Sequence, residues 1–172
     1  FVYQILFFIK KKLTTVNSFE IPIICVGNIY LGGTGKTPLS IFLANELTLH
    51  KKHPAIIKKY YKDQSDEQDF IKDKFNSLFL HKNRIAAIKS ALKKDHKLMI
   101  LDDGFQDFSI KKNLSILCFN SEQLLGNEMT LPCGPLREKL DSIKRAQIIM
   151  INGQKNVDFE NKIRTISKNI KI

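Results

Sequence analysis

No apolar run in this chain approaches the ~18 residues that a bilayer-crossing helix requires, so nothing in it reads as a membrane span. Cysteine is scarce: Cys25, Cys118 and Cys133 are odd in number and show no Cys-x-x-Cys spacing. That excludes a disulfide framework and argues against a cysteine-held metal. Cys25 and Cys118 lie in apolar runs and read as buried free thiols of a reducing compartment. Arginine is limited to Arg84, Arg137, Arg145 and Arg164, without a stripe of arginines interleaved with aromatics, which argues against a nucleic-acid partner. No small-residue cleavage site follows the apolar segment Phe1–Ile9, so a signal peptide is not supported. Internal repeats and low-complexity linkers are also missing. Acid is in deficit, with 17 Asp and Glu against 28 Lys and Arg and a net charge of +11. Such a balance suits an anionic membrane face or a phosphorylated substrate, and equally suits solvated lysine-rich faces.

The chain is organised around Gly32-Gly33-Thr34-Gly35-Lys36-Thr37-Pro38. It follows Ile21–Val26, which reads as a buried parallel strand, and precedes Leu39, Ile41, Phe42, Leu43 and Leu47, spaced like the inner face of a helix. Strand, glycine-rich turn, Gly-Lys-Thr and helix form the context of a phosphate-binding loop. Glycines let backbone N–H groups close around phosphate oxygens, and the helix aims its positive end at them. Lys36 is expected to reach the β- and γ-phosphates and the Thr37 hydroxyl to hold Mg²⁺. The nucleotide is expected along Tyr30, Leu31, Gly32, Gly33, Thr34, Gly35, Lys36 and Thr37. One glycine of the usual pattern is lacking, since position 30 is Tyr30. The bland alternative, an ordinary βα turn, leaves unexplained a lysine at a helix start, where its charge opposes the dipole.

Further apolar runs predict strands at 54–57, 78–80, 98–101, 114–119 and 147–152, with helices at 70–75, 84–94 and 159–166. Residues 63–69 read as an acidic, polar turn, and a strand is expected to begin near Lys168–Ile172. Leu98-Met99-Ile100-Leu101 ends in Asp102-Asp103, a buried strand delivering carboxylates where a loop threonine and Mg²⁺ would meet. Leu131–Glu138, stiffened by Pro132 and Pro135, would hold Arg137 in place to grip a phosphate. Strands alternating with helices predict an α/β fold of P-loop NTPase type, a mostly parallel sheet with helices on both faces. The ligand is expected at the carboxyl ends of the strands. As a helix, residues 1–13 would offer Phe1, Ile5, Leu6, Phe8 and Ile9 to an anionic bilayer surface, with Lys10–Lys12 at its end, or would pack on the domain.

Three stretches in this order and spacing resemble one family: Val26–Pro38, Leu101-Asp102-Asp103-Gly104-Phe105-Gln106, and Leu131–Glu138. The chain is similar to tetraacyldisaccharide 4′-kinases, the lipid A 4′-kinases of Gram-negative bacteria, from its N-terminal apolar segment to the strand at Ile148. The family's loop also lacks the first glycine. The resemblance implies ATP- and Mg²⁺-dependent phosphorylation of the 4′-hydroxyl of an acylated disaccharide 1-phosphate, giving lipid IVA, at the cytoplasmic face of the inner membrane. It places Lys36 and Thr37 on the phosphate and metal, and Asp102 and Asp103 with Thr37 on the metal; Gln106 and Arg137 are expected to contact the substrate. Ser65-Asp66-Glu67 looks like the family's Gly-Asp-Glu, so Asp66 inherits the role of base beside Lys36. Departures are Asp107 where the family has histidine, and Lys58-Lys59-Tyr60-Tyr61 where it has Ser-Arg-Gly-Tyr. The family's chain is longer. Its C-terminal lobe, with a histidine partner for the base, is expected to be absent here, none of His50, His53, His81 and His96 matching it. That leaves a kinase domain at 20–172, with no protein partner expected. The competing reading is a ParA/MinD-like nucleotide-switched ATPase, whose signature lysine before the glycines is replaced here by Leu31.

Overall fold

The computed structural model describes residues 9, 12–62 and 65–172. The expected interfacial helix over 1–13 falls largely outside the described residues.

Six strands form one sheet: β1 (Ile23–Gly27), β2 (Pro54–Lys59), β3 (Leu78–His81), β4 (Leu98–Asp102), β5 (Leu114–Asn120) and β6 (Ile148–Asn152). Their order across the sheet is β3-β2-β4-β1-β5-β6, and every neighbouring pair is parallel. The helices that flank the sheet are α1 (Lys36–Leu49), α2 (Ser65–Lys74), α3 (Arg84–Leu92) and α4 (Val157–Ile166), and a 3₁₀ segment lies at Leu140–Arg145. After β1 the chain moves outward to β2 and β3, returns to insert β4 beside β1, and crosses to β5. The carboxyl ends of β1 and β4 therefore open at the point where the winding reverses, the position at which such sheets hold ligands.

Strand periodicity sorts the core into two layers. Val26, Ile56, Ile100 and Cys118 face one side and pack with Ile41 and Ala44 of α1 and Ile71 of α2. Cys25, Ile57, Met99, Leu101 and Leu117 face the other and pack with Ala87, Ile88 and Ala91 of α3 and Phe159 and Ile163 of α4. Because Leu98 and Ile100 point toward α1, the same alternation sends Asp102 under that helix, at the sheet's tip.

Apolar spacing misjudged two helix faces, that of α1 and that of α3, where Ile85, Ile88 and Leu92 are spaced to share one side. α1 buries Thr37, Ser40, Ile41 and Ala44, whereas Phe42 is exposed. Small side chains let this helix lie close to the sheet, and its first turn must meet polar groups. α3 buries Arg84, Ala87, Ile88 and Ala91 and leaves Leu92 exposed. The acidic stretch expected as a turn is instead the first turn of α2, where Asp66 and Glu67 complement the helix dipole. Near the C-terminus, Lys171 exchanges backbone hydrogen bonds with Gln147 and Ile149, so a segment begins to pair outside β6.

Cys25 and Cys118 are buried and Cys133 is exposed. Burial pushes the Cys25 thiol up to about 11 and the Cys118 thiol up to about 12, so neither forms thiolate near neutrality. A thiol reagent at pH 8 should therefore label Cys133 rapidly, and all three cysteines only after denaturation. A second fast thiol in the native protein would contradict this packing.

Candidate active site

The loop after β1 is shaped by two close approaches. A Cβ on Gly27 would lie 2.6 Å from the Cβ of Phe105, so the end of β1 can pass the β4 loop only as glycine. Gly35 caps α1 in the left-handed region, at φ +81°, where glycine is strain-free. No side chain caps this helix start, and the first intrahelical bond runs from the Leu39 N–H to the Gly35 carbonyl at 3.1 Å. The N–H groups of the first turn thus remain available to an anion. Tyr30 does not open the loop as a glycine would. Its ring is fully buried against Phe119, and its hydroxyl accepts the Asn120 N–H at 2.6 Å. Any contact it makes with a nucleotide falls to its backbone. Leu31 is pinned by its N–H to the Pro135 carbonyl at 2.9 Å, and its own carbonyl accepts from Gln123 at 3.2 Å.

Asp102 is fully buried and its carboxylate accepts from three side chains. Ser40 donates to Oδ1 at 3.0 Å, while Thr37 and Lys58 donate to Oδ2 at 3.2 and 2.7 Å. Register explains the last contact: Lys58 and Asp102 are paired across β2 and β4, so their side chains leave the same face together. Lys58 reaches on to Glu67 of α2, again at 2.7 Å. Its own burial pulls its pKa down, but Asp102 and Glu67 outweigh burial and the net shift is upward.

Asp103 adopts φ +52°, a conformation aspartate tolerates. This turns its carboxylate to a different set of partners: Arg137 at 3.2 and 3.1 Å, and Lys36 at 3.9 Å. Burial raises its pKa, yet Arg137 and Lys36 prevail and hold it below the usual carboxylate range. The sharp turn after β4 is thus made at Asp103. Gly104 is required for closeness instead, since a Cβ there would meet Leu101 at 2.7 Å. Arg84, unflagged in the sequence, fastens this corner by donating to the carbonyls of Asp102 and Asp103 at 3.2 and 2.7 Å, and pairs with Asp107 at 3.3 Å. Gln106 donates to the Asn28 carbonyl and to Glu138, and lies 3.5 Å from Arg137.

Gly32, Lys36, Lys58, Lys59, Tyr61, Glu67, Arg84, Asp102, Asp103 and Arg137 line one cleft of about 190 Å³. That is below the ~300–1,000 Å³ of whole-ligand pockets and suits the phosphate end of a nucleotide. Lys36, Thr37, Asp102, Asp103 and Arg137 are therefore brought together. Asp66 is not on this wall. It is exposed, accepts from the Ser65 hydroxyl at 3.3 Å, and yields the cleft position to its neighbour Glu67.

Among the described residues no group of three or more His, Cys, Asp or Glu is arranged to hold a metal. Magnesium needs no such cage, because it is usually held by one or two carboxylates together with phosphates and water. Thr37 Oγ1 and Asp102 Oδ2, hard oxygens side by side next to an uncapped helix start, fit that arrangement.

The sequence profile of the tetraacyldisaccharide-1-P 4′-kinase family, LpxK, matches residues 1–77 and 66–171. The chain belongs to this family. It is 41% identical over 166 residues to the tetraacyldisaccharide 4′-kinase of Pelagibacter ubique, covering 95% of this chain and 52% of that protein. To the enzyme of that name from Halorhodospira halophila it is 30% identical, covering 77% and 46%. The chain thus spans about half the length of the curated relatives it matches. The LpxK of Aquifex aeolicus, whose crystal structure was solved in complex with ATP, superimposes with a TM-score of 0.77 at 25% identity, over 89% of this chain and 56% of that one. A signal recognition particle 54 kDa protein from Aeropyrum pernix shares the fold alone, at TM-score 0.60 and 10% identity. The LpxK family and its P-loop neighbours thus share the parallel sheet described above.

Proposed function

We propose that this chain carries the nucleotide-binding part of an ATP- and Mg²⁺-dependent kinase that phosphorylates the 4′-hydroxyl of tetraacyldisaccharide 1-phosphate, giving lipid IVA in lipid A biosynthesis. The observation that carries the reading is the meeting of Lys36, Thr37 and Asp102 at the carboxyl ends of β1 and β4, in a chain of the LpxK family.

Lys36 and the N–H groups of α1 hold the β- and γ-phosphates. Thr37 and Asp102 would hold Mg²⁺, which neutralises charge on the transferring phosphoryl group. Asp103 belongs with them as a further acid that would help to hold the metal. Arg137 turns to phosphate, with Gln106 steadying it toward the substrate. Asp66 serves as base: as the 4′-oxygen bonds to phosphorus and the bond to the departing diphosphate breaks, Asp66 takes the hydroxyl proton. Glu67, tied to Lys58, stays on the metal side. The substrate's acyl chains call for work at a membrane surface, and the family resemblance implies the cytoplasmic face of the inner membrane. Exposed Leu13 and Val16 beside Lys10–Lys12, and the net charge of +11, support an anionic surface as the contact. Among the described residues no helix is long and apolar enough to cross a membrane.

The test is transfer of labelled phosphate from ATP to tetraacyldisaccharide 1-phosphate in anionic vesicles by the full protein. Asp66→Ala should lower kcat by about 10²–10⁴-fold with ATP affinity near wild type. If Glu67→Gln does this while Asp66→Ala does not, the base is Glu67. Deletion of residues 1–12 should weaken flotation with the vesicles; unchanged flotation counts against this segment as the membrane contact.

A further inference from the structure

Lys58, like Arg84, is a cation of the cleft whose place the sequence did not foreshadow. Its side chain is only 4% exposed, yet it carries an ammonium between two carboxylates, each at 2.7 Å. A buried charge persists only when compensated, and here the compensation is mutual: Lys58 neutralises Asp102, which has no solvent exposure at all. With Thr37 and Ser40 also donating, Asp102 needs no metal to be satisfied.

We propose that Lys58 makes this cleft select metal-bound nucleotide over free metal, its ammonium standing between Asp102 and Glu67 on the side of the cleft where a divalent cation would enter. This rests on the reading of Thr37 and Asp102 as the magnesium side of a nucleotide site. A free divalent ion approaching Asp102 meets a like charge within a few ångströms, in a buried setting where screening is weak. It must also shed water to bind a carboxylate already bonded to three donors. A metal arriving with a triphosphate brings its own anionic oxygens. Those oxygens compensate both the metal and the displaced ammonium, which lines the same cleft as Lys36. The binding order follows: nucleotide and metal enter together, and the empty cleft stays closed to metal alone. Lys58 is thus a positioning residue that fixes Asp102 and Glu67 and lowers their attraction for a bare cation.

Mn²⁺ serves as the probe, its free concentration read by electron paramagnetic resonance in the full protein without nucleotide. Lys58→Met, which keeps an unbranched side chain one atom shorter and removes the charge, should bind Mn²⁺ at least about ten-fold more tightly than wild type, whereas Lys58→Arg should not. A merely structural lysine would lower the Tm on replacement without creating metal affinity. Equal Mn²⁺ affinity in wild type and a folded Lys58→Met overturns the proposal. Should that variant not fold, the wild-type protein decides alone. Millimolar Mg²⁺ without nucleotide should leave its Tm unchanged while Mg²⁺ with ATP raises it, and a comparable rise with Mg²⁺ alone overturns the idea. Binding of fluorescent ATP in the same samples separates the two readings. If ATP fails to bind with or without Mg²⁺, the nucleotide site itself is wrong; if ATP binds with Mg²⁺ but charge removal creates no metal affinity, only the role of Lys58 falls.

Discussion

Lys36→Ala is expected to lower kcat/KM for phosphoryl transfer by about 10²–10³-fold, the range seen when one preorganised charge donor is removed from a phosphate or oxyanion site. The loss should be one of chemistry rather than of folding. Lys36 sits at the first position of α1, where a positive charge opposes the helix dipole, and its nearest carboxylate, Asp103, is 3.9 Å away. Removing it leaves Asp103 held by Arg137 at 3.1 Å. The Tm of the variant should therefore stay within a few degrees of wild type, since losing a charge that opposes the dipole offsets the lost pairing. Affinity for Mg²⁺-ATP should fall with activity, measured by fluorescent-nucleotide titration. Wild-type activity and affinity in Lys36→Ala would falsify the assignment of the loop to nucleotide phosphates.

Replacing Asp102 should have a second large effect, on activity and stability together. Asp102→Asn keeps the shape but leaves the buried Lys58 ammonium with only the half-exposed Glu67 as partner. Removing one member of a buried pair costs about 3–5 kcal/mol, because the other charge remains desolvated. In a domain of this size that corresponds to a Tm lower by on the order of 10 °C. Magnesium-dependent transfer should be lost as well, since Thr37 would keep a neighbouring amide in place of a carboxylate. Asp103→Asn gives the contrast. Its carboxylate and Arg137 are partly solvated, at 29% and 23% exposure, so the stability change should be about 1 kcal/mol or less. Thermal melts of the two single variants, with Mg²⁺ titrations of activity, distinguish the roles of adjacent acids. Equal Tm changes would mean that the burial difference between them has no energetic weight. A retained metal requirement in Asp102→Asn would move the metal to Asp103.

Much of this molecule was legible before any coordinate was known. Short apolar runs, three residues long at β3 and up to six elsewhere, located all six strands, because a strand covered on both faces has to be largely apolar. The Gly-Lys-Thr turn and the Asp-Asp pair were equally visible, since phosphate and magnesium chemistry restricts which residues can serve. Helix faces were less legible. Leu39, Leu43 and Leu47 do pack on the core, but Ser40 and Ala44 are the fully buried positions, and a hydrophobicity pattern cannot see a contact made by small or polar groups. Tyr30 likewise looked like a loop residue and proved to be a core anchor, because its environment is supplied by Phe119 and Asn120, ninety residues away in the chain. The pairing of acids with bases belonged wholly to the tertiary structure. Asp102 and Asp103 are indistinguishable as letters, yet one extended step and one left-handed step send the first beneath α1 to Lys58 and the second outward to Arg137. The sequence by itself determined which chemical groups would gather at the strand ends, through local pattern and motif. Only the register of β2 against β4 and the backbone turn at Asp103 decided which charge neutralises which, because partner choice depends on distances between segments that local pattern does not encode.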